Sequence, residues 1–325
     1  MGTKILGTGS YFPSKVLTNA DLEKMVDTSD EWISTRTGIK ERRIASSGEY
    51  TSDLAYRASL EAIKSANVKL EEIDLVLVAT ITPDMFFPST ACFLQKKLGL
   101  NSVPAFDFSA ACSGFIYGIA TAKAFIESGL YKNVLLVGSE ELSKITDWTD
   151  RNTCVLFGDG AGAMVLSASQ DNDDVLSVFL GSDGSYADLL LIPGGGSINP
   201  ATIETLNEKL HSIKMQGREV FKVAISKMAF AAQKALEISE KTIEDIKLFI
   251  PHQANMRIIE AVAKKLDISM DKVFVNIHKT GNISSATTIT ALDEAIKIGK
   301  LNKGDLVELI AFGGGFTWGA TVLRV

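Results

Sequence analysis

The sequence has little cysteine, little proline and no excess of positive charge. Cys92, Cys112 and Cys154 are its three cysteines, too few and too scattered for a disulfide framework, and the odd count predicts reduced thiols in a cytoplasmic setting. Seven prolines in 325 residues, with no Gly/Ser-rich or Pro-rich run, exclude a flexible linker, so the parts of the chain must pack against one another. Lys and Arg total 33 against 39 Asp and Glu, a formal charge of −6, which argues against a nucleic-acid surface. Any anionic partner must meet a local basic patch. No apolar run approaches the roughly 18 residues of a membrane span, and the opening residues Met1-Gly2-Thr3-Lys4-Ile5-Leu6 carry neither a secretory hydrophobic region nor a myristoylation signal. The sequon Asn282-Ile283-Ser284 is therefore read as coincidental.

What is present is an alternation of short apolar runs and longer helical patterns, the mark of an α/β protein whose strands are buried on both faces. Strands are expected at 75–79, 103–108, 134–138, 163–166, 248–250, 273–275, 307–311 and 320–323, and helices at 52–66, 89–98, 113–128, 218–236, 255–266 and 285–298. The two halves of the chain also resemble each other. Glu71-Glu72-Ile73-Asp74-Leu75-Val76-Leu77-Val78, with a helix ending Lys96-Lys97-Leu98, parallels Ile243-Glu244-Asp245-Ile246-Lys247-Leu248-Phe249-Ile250, with a helix ending Lys264-Lys265-Leu266. Phe157-Gly158-Asp159-Gly160 leading into Met164-Val165-Leu166 parallels Phe312-Gly313-Gly314-Gly315 leading into Thr321-Val322-Leu323. The chain is thus expected to be a duplicated βα unit with halves 1–170 and 171–325, joined at the polar run 169–174.

Cys112 lies between an expected strand and helix, in Ser109-Ala110-Ala111-Cys112-Ser113-Gly114. A thiol at a helix N-terminus meets unpaired N–H groups and the positive end of the macrodipole, which favour thiolate and predict a nucleophile. Cys92 and Cys154 have no such turn and are expected in the core. His252, in Pro251-His252-Gln253-Ala254-Asn255, follows a buried strand at the end where α/β sites gather. His211 and His278 read as surface or supporting residues. Asn282, after Gly281 and before a helix, occupies in the second half the place of Cys112 in the first. The run Gly313-Gly314-Gly315 could form a tight turn or offer N–H groups to an oxyanion. It fits neither a P-loop nor a dinucleotide fingerprint, and no His/Cys/Asp spacing suits zinc.

These residues, with Asp30-Glu31-Trp32-Ile33 and Arg36-Thr37-Gly38-Ile39 near the start and Phe316-Thr317-Trp318-Gly319 near the end, resemble the thiolase-fold condensing enzymes, and within them the β-ketoacyl-acyl carrier protein synthase III family. The resemblance implies a five-layered αβαβα fold, a homodimer, and a decarboxylative Claisen condensation of a short acyl-CoA primer with malonyl-acyl carrier protein that begins fatty acid biosynthesis. It implies no cofactor and no metal. Cys112 would accept the acyl group, His252 and Asn282 would stabilise the enolate, and the N–H groups of Cys112 and Gly314 would form the oxyanion hole. Coenzyme A contacts match Thr28, Trp32, Arg36, Arg151, Phe221, Ala254 and Asn255, with Arg218 a departure from the usual small amide. Carrier-protein docking would use Lys222, Gln253, Ala254, Asn255, Met256, Arg257, Lys264 and Lys265, and Phe87 would close the acyl pocket of a partner subunit. The rivals are a polyketide or hydroxymethylglutaryl-type synthase with the same Cys-His-Asn set, and a silent acyl-binding scaffold.

Overall fold

The computed structural model describes residues 2–171 and 173–325; Met1 and Asn172, the latter in the polar run between the halves, lie outside them. One sheet runs in the spatial order Gly2–Tyr11, Asp159–Ser169, Asn133–Glu141, Leu75–Ala79, Ala105–Phe108. The other runs Val175–Ser182, Thr317–Arg324, Leu306–Gly313, Leu248–Pro251. In each, the first two junctions are antiparallel and the next is parallel. The two sheets therefore repeat one topology.

The fifth strand of the second sheet, expected at 273–275, is reduced to a single parallel bridge between Phe249 and Val273. Its continuation is taken over by the Gln253 side chain, whose amide donates to the Phe274 carbonyl and whose oxygen accepts from the Asn276 and Ile277 N–H groups. A side chain here does what a ladder does elsewhere.

Helices Gly114–Glu127 and Thr287–Lys297 fill the space between the sheets, where Phe115, Ile116, Ile119, Ile289 and Leu292 pack with Leu77, Leu136, Ile250 and Leu309. Helices Thr51–Ala66 and Thr90–Leu98 cover the outer face of the first sheet. Gly217–Ser239 and Met256–Lys265 cover the outer face of the second. The result is five layers, αβαβα, with each sheet apolar on both faces, as the unbroken apolar runs required. Phe115 is fully buried, and its truncation to alanine would cost about 3–5 kcal/mol.

The strands Gly2–Tyr11 and Val175–Ser182 and the helix Asp30–Thr37 were not expected. The first is interrupted by Gly2, Gly7 and Gly9, a residue type depleted in strands, and its extension follows from pairing along Asp159–Ser169.

Candidate active site

Cys112 sits in a 3₁₀ turn, Ala111–Ser113, between the strand Ala105–Phe108 and the helix Gly114–Glu127. Ala111 is left-handed, with φ +47°, a conformation costly for a residue with a Cβ and one that clusters at functional turns. The turn is tied to the far sheet: Thr317 Oγ1 lies 2.6 Å from Ser113 Oγ and donates to the Ala110 carbonyl at 2.9 Å. A Cβ on Gly313 would stand 2.5 Å from the Cys112 nitrogen, so only glycine lets the 313–315 loop approach this backbone. The expectation of a lowered thiol pKa is corrected. Burial pushes the Cys112 thiol up to about 12, the Ser284 hydroxyl opposing and the Glu140 carboxylate adding. Desolvation outweighs a helix terminus worth about 1 kcal/mol, and the resting group is the thiol.

His252 follows the strand Leu248–Pro251 directly, its N–H bonded to the Ile310 carbonyl at 2.7 Å. Its ring is buried, with Nδ1 2.6 Å from Thr287 Oγ1. Burial drives its pKa from 6.5 to about 3, so at neutral pH the imidazole is uncharged. Because the folded pKa lies below the unfolded one, the unfolded chain binds the extra proton as pH falls from about 6.5 to about 3. Stability is therefore lost through that window, by up to about 1.4 kcal/mol per pH unit from this group. Urea titrations at pH 7 and 5 should show a smaller acid loss for His252→Gln than for the parent. Equal losses would contradict the buried neutral ring.

Asn282 is clamped by backbone bonds to the first half: its N–H donates to the Leu156 carbonyl, and its carbonyl accepts from Gly158 N–H. Its side-chain oxygen accepts from Ser284 N–H at 2.9 Å, which fixes which end of the amide is free to donate. The assumed equivalence of Asn282 and Cys112 is corrected. Ser284 has φ +47°, as Ala111 does, and opens the matching 3₁₀ turn Ser284–Ala286. In that alignment Cys112 corresponds to Ser285 and Asn282 to Ser109. Ser285 instead donates to the buried Glu140 carboxylate at 2.8 Å, which also accepts from Thr80, Thr82 and Ile81 N–H. The pseudo-twofold relates the cavity-lining Cys112 to a buried, hydrogen-bonded serine.

Cys112, His252 and Asn282 line one cavity of about 630 Å³, together with Gly313, Phe157, Phe221, Ala254, Asn255 and Arg218. Trp32 and Arg36 also line it. Trp32 carries two guanidinium groups, Arg36 at 4.5 Å and Arg151 at 5.1 Å from its ring centre, and Thr28 nearby in sequence has a buried hydroxyl without a partner. Asn255 also caps the helix Met256–Lys265 through Arg257 N–H.

Two expectations fail. Gln253 is fully buried and both ends of its amide are engaged internally, so it cannot meet a carrier protein. Cys92 is exposed, whereas Cys154 is buried; the helix carrying Cys92 turns Ala91 and Leu94 inward instead. Arg42, Glu140 and Thr287 act through partners far along the chain, which no local pattern marks, and the tie of Thr317 to the Cys112 turn is likewise not legible in the motif that holds it. Arg42, wholly buried, bonds the Val155 carbonyl at 2.8 Å beside the segment that clamps Asn282.

This duplicated fold, with its cysteine turn, histidine and asparagine meeting at one cavity, is that of a thiolase-fold condensing enzyme. Two family signatures match: 3-oxoacyl-[acyl-carrier-protein] synthase III over residues 106–184, and its C-terminal domain over residues 236–325. The β-ketoacyl-[acyl-carrier-protein] synthase III of Caldanaerobacter subterraneus subsp. tengcongensis is 55% identical over 320 residues, 98% of this chain and 97% of the relative. That of Clostridioides difficile is 53% identical, covering 100% of this chain and 99% of the relative. The crystal structure of the Aquifex aeolicus synthase III superposes with a TM-score of 0.93 at 52% identity, covering 100% of both chains. The chain belongs to the β-ketoacyl-[acyl-carrier-protein] synthase III family. It is a condensing acyltransferase, and its activity initiates fatty acid biosynthesis.

Proposed function

We propose that this synthase joins a short acyl-CoA primer to malonyl-acyl carrier protein through an acyl-cysteine on Cys112. The observation that carries the reading is the convergence of Cys112, His252 and Asn282 on a cavity that Trp32 and Arg36 also line. In the first half-reaction Cys112 sulfur attacks the primer thioester carbon, the C–S bond to coenzyme A breaks, and the cysteine proton ends on the departing thiol. The N–H groups of Cys112 and Gly314 hold the oxyanion. In the second, the malonyl thioester loses CO2, and His252 and Asn282 donate to the carbonyl oxygen that becomes the enolate. The enolate carbon attacks the acyl carbon, and Cys112 sulfur leaves as thiolate and takes up one proton from water to regenerate the thiol. Neutral donors suit this step, since they stabilise the growing charge without holding it as an ion pair.

Neither half-reaction calls on a metal or a nicotinamide. Initial-rate lines at several primer concentrations should be parallel and unaffected by chelator, as a covalent intermediate requires. Intersecting lines would count against the acyl-enzyme.

Coenzyme A contacts are assigned to Trp32, Arg36 and Arg151, with Thr28, Phe221, Ala254 and Asn255 along the arm. The partnerless Thr28 hydroxyl and the two guanidinium groups on Trp32 support this: a flat base and phosphates are what such groups bind. Arg151 now lies on the Trp32 ring itself and donates to the Asp27 carbonyl, so an adenine between them displaces it.

An acidic enzyme and an acidic carrier protein need a basic patch. Arg257, Lys264 and Lys265 are exposed on the helix Met256–Lys265, and Arg257 also lines the cavity. Lys222 contributes less, because Glu219 pairs with it at 3.1 Å. Arg257→Glu and Lys265→Glu should raise KM for malonyl-carrier protein about tenfold at low salt, less at high salt. Turnover with malonyl-CoA should hardly change. Equal losses with both donors would place these charges in the fold or the pantetheine site.

Phe86 and Phe87 are each 84% exposed, side by side at a loop tip, an arrangement a soluble monomer avoids. A second copy of the chain covers them, with Phe87 entering the partner's acyl pocket. Sedimentation of Phe87→Asp should show a shift toward monomer; an unchanged dimer, or a monomeric parent, contradicts this.

A further inference from the structure

Decarboxylation asks two side chains to donate hydrogen bonds to one oxygen. Asn282 is set for that role by its own neighbour, because Ser284 N–H occupies the amide oxygen at 2.9 Å and leaves the NH2 group for the substrate. His252 has no such fixed assignment. A neutral imidazole carries its proton on Nδ1 or on Nε2, and the partner of one nitrogen decides the state of the other. With the proton on Nδ1, Nε2 would turn a lone pair toward an oxygen gaining negative charge.

The partner of Nδ1 is Thr287 Oγ1, at 2.6 Å and buried. That hydroxyl can also donate to the Ser284 carbonyl, 3.0 Å away, an arrangement in which it would accept from Nδ1–H instead. The same carbonyl already accepts the Thr287 backbone N–H, so turning the hydroxyl to the ring leaves no acceptor unsatisfied. We propose that the Thr287 hydroxyl donates to His252 Nδ1 and so holds the tautomer that presents Nε2–H to the cavity. Thr287 is thus a positioning residue for the decarboxylating step. The left-handed turn at Ser284 serves both donors at once: its N–H orients the Asn282 amide, and its carbonyl neighbours the threonine that orients His252. This inference rests on His252 and Asn282 acting in decarboxylation.

The test compares Thr287→Val, which keeps the shape and loses the hydroxyl, with Thr287→Ser, which keeps the hydroxyl. CO2 release from malonyl thioester should fall about 10- to 100-fold in Thr287→Val, the cost of one lost buried hydrogen bond. Acylation of Cys112 in a single turnover should persist, and Thr287→Ser should restore CO2 release. Nitrogen-15 spectra of histidine-labelled parent enzyme, with His252 assigned through His252→Gln, should show an unprotonated, hydrogen-bonded Nδ1 and a protonated Nε2. This spectrum decides the question even if Thr287→Val fails to fold. A protonated Nδ1 would overturn the proposal. So would equal losses in both half-reactions, or full CO2 release by Thr287→Val while His252→Ala has lost it. Full CO2 release by His252→Ala would instead remove the histidine assignment on which the proposal stands.

Discussion

Cys112→Ser should abolish primer acylation and with it condensation, a loss of at least about 10³-fold in kcat/KM. A hydroxyl in the same turn is a far weaker nucleophile toward a thioester than sulfur, and no base stands ready to ionise it, since burial holds His252 near pKa 3. The fold should not suffer. The change is nearly isosteric, at a side chain whose neighbours on the turn are held by the Ser113–Thr317 and Thr317–Ala110 bonds. The measurement is single-turnover transfer of a labelled acyl group together with thermal unfolding. Retained transfer, or loss accompanied by unfolding, would count against Cys112 as the acyl acceptor.

His252→Ala and Asn282→Ala should separate the two half-reactions. Each removes one donor from the developing enolate, and the loss of one preorganised donor costs about 10²–10³-fold. CO2 release from malonyl thioester should fall by that factor in either variant, while the Cys112 acyl adduct still forms. The double variant should lose little more than the worse single one, because two donors on one oxygen act as a unit. If neither variant can be acylated, the division of labour is wrong.

Much of this molecule was readable before its structure, and the exceptions have physical causes. The strand Leu75–Ala79 was located to the residue, because five consecutive apolar residues between turns have few alternatives. The repeat in sequence became a repeat in strand order. The strand Gly2–Tyr11 was invisible, since its three glycines break the apolar pattern and its extension comes from pairing along Asp159–Ser169. Cys112, His252 and Asn282, singled out from the turns and strand ends that carry them and from the family resemblance, line one cavity. Spacing from the preceding strand pairs Asn282 with Cys112, whereas the left-handed Ala111 and Ser284 set the true register. The family resemblance placed Gln253 in the carrier-protein contact, and nothing local announced that its amide would replace a strand. Thr287 and Glu140 act through contacts that only the assembled halves create.

On the proposed mechanism the acyl group rests on Cys112 between the two half-reactions. Enzyme mixed with labelled acetyl-CoA, freed of excess, digested and analysed by mass spectrometry should carry the label on the peptide containing Cys112. Cys154, and the exposed Cys92, should carry none. Malonyl-carrier protein added before digestion should clear the adduct and release CO2 and labelled 3-oxoacyl-carrier protein in equal amounts. Labelled product formed while Cys112 never carries the acyl group, or an adduct on Cys92 that is cleared in its place, would contradict the account.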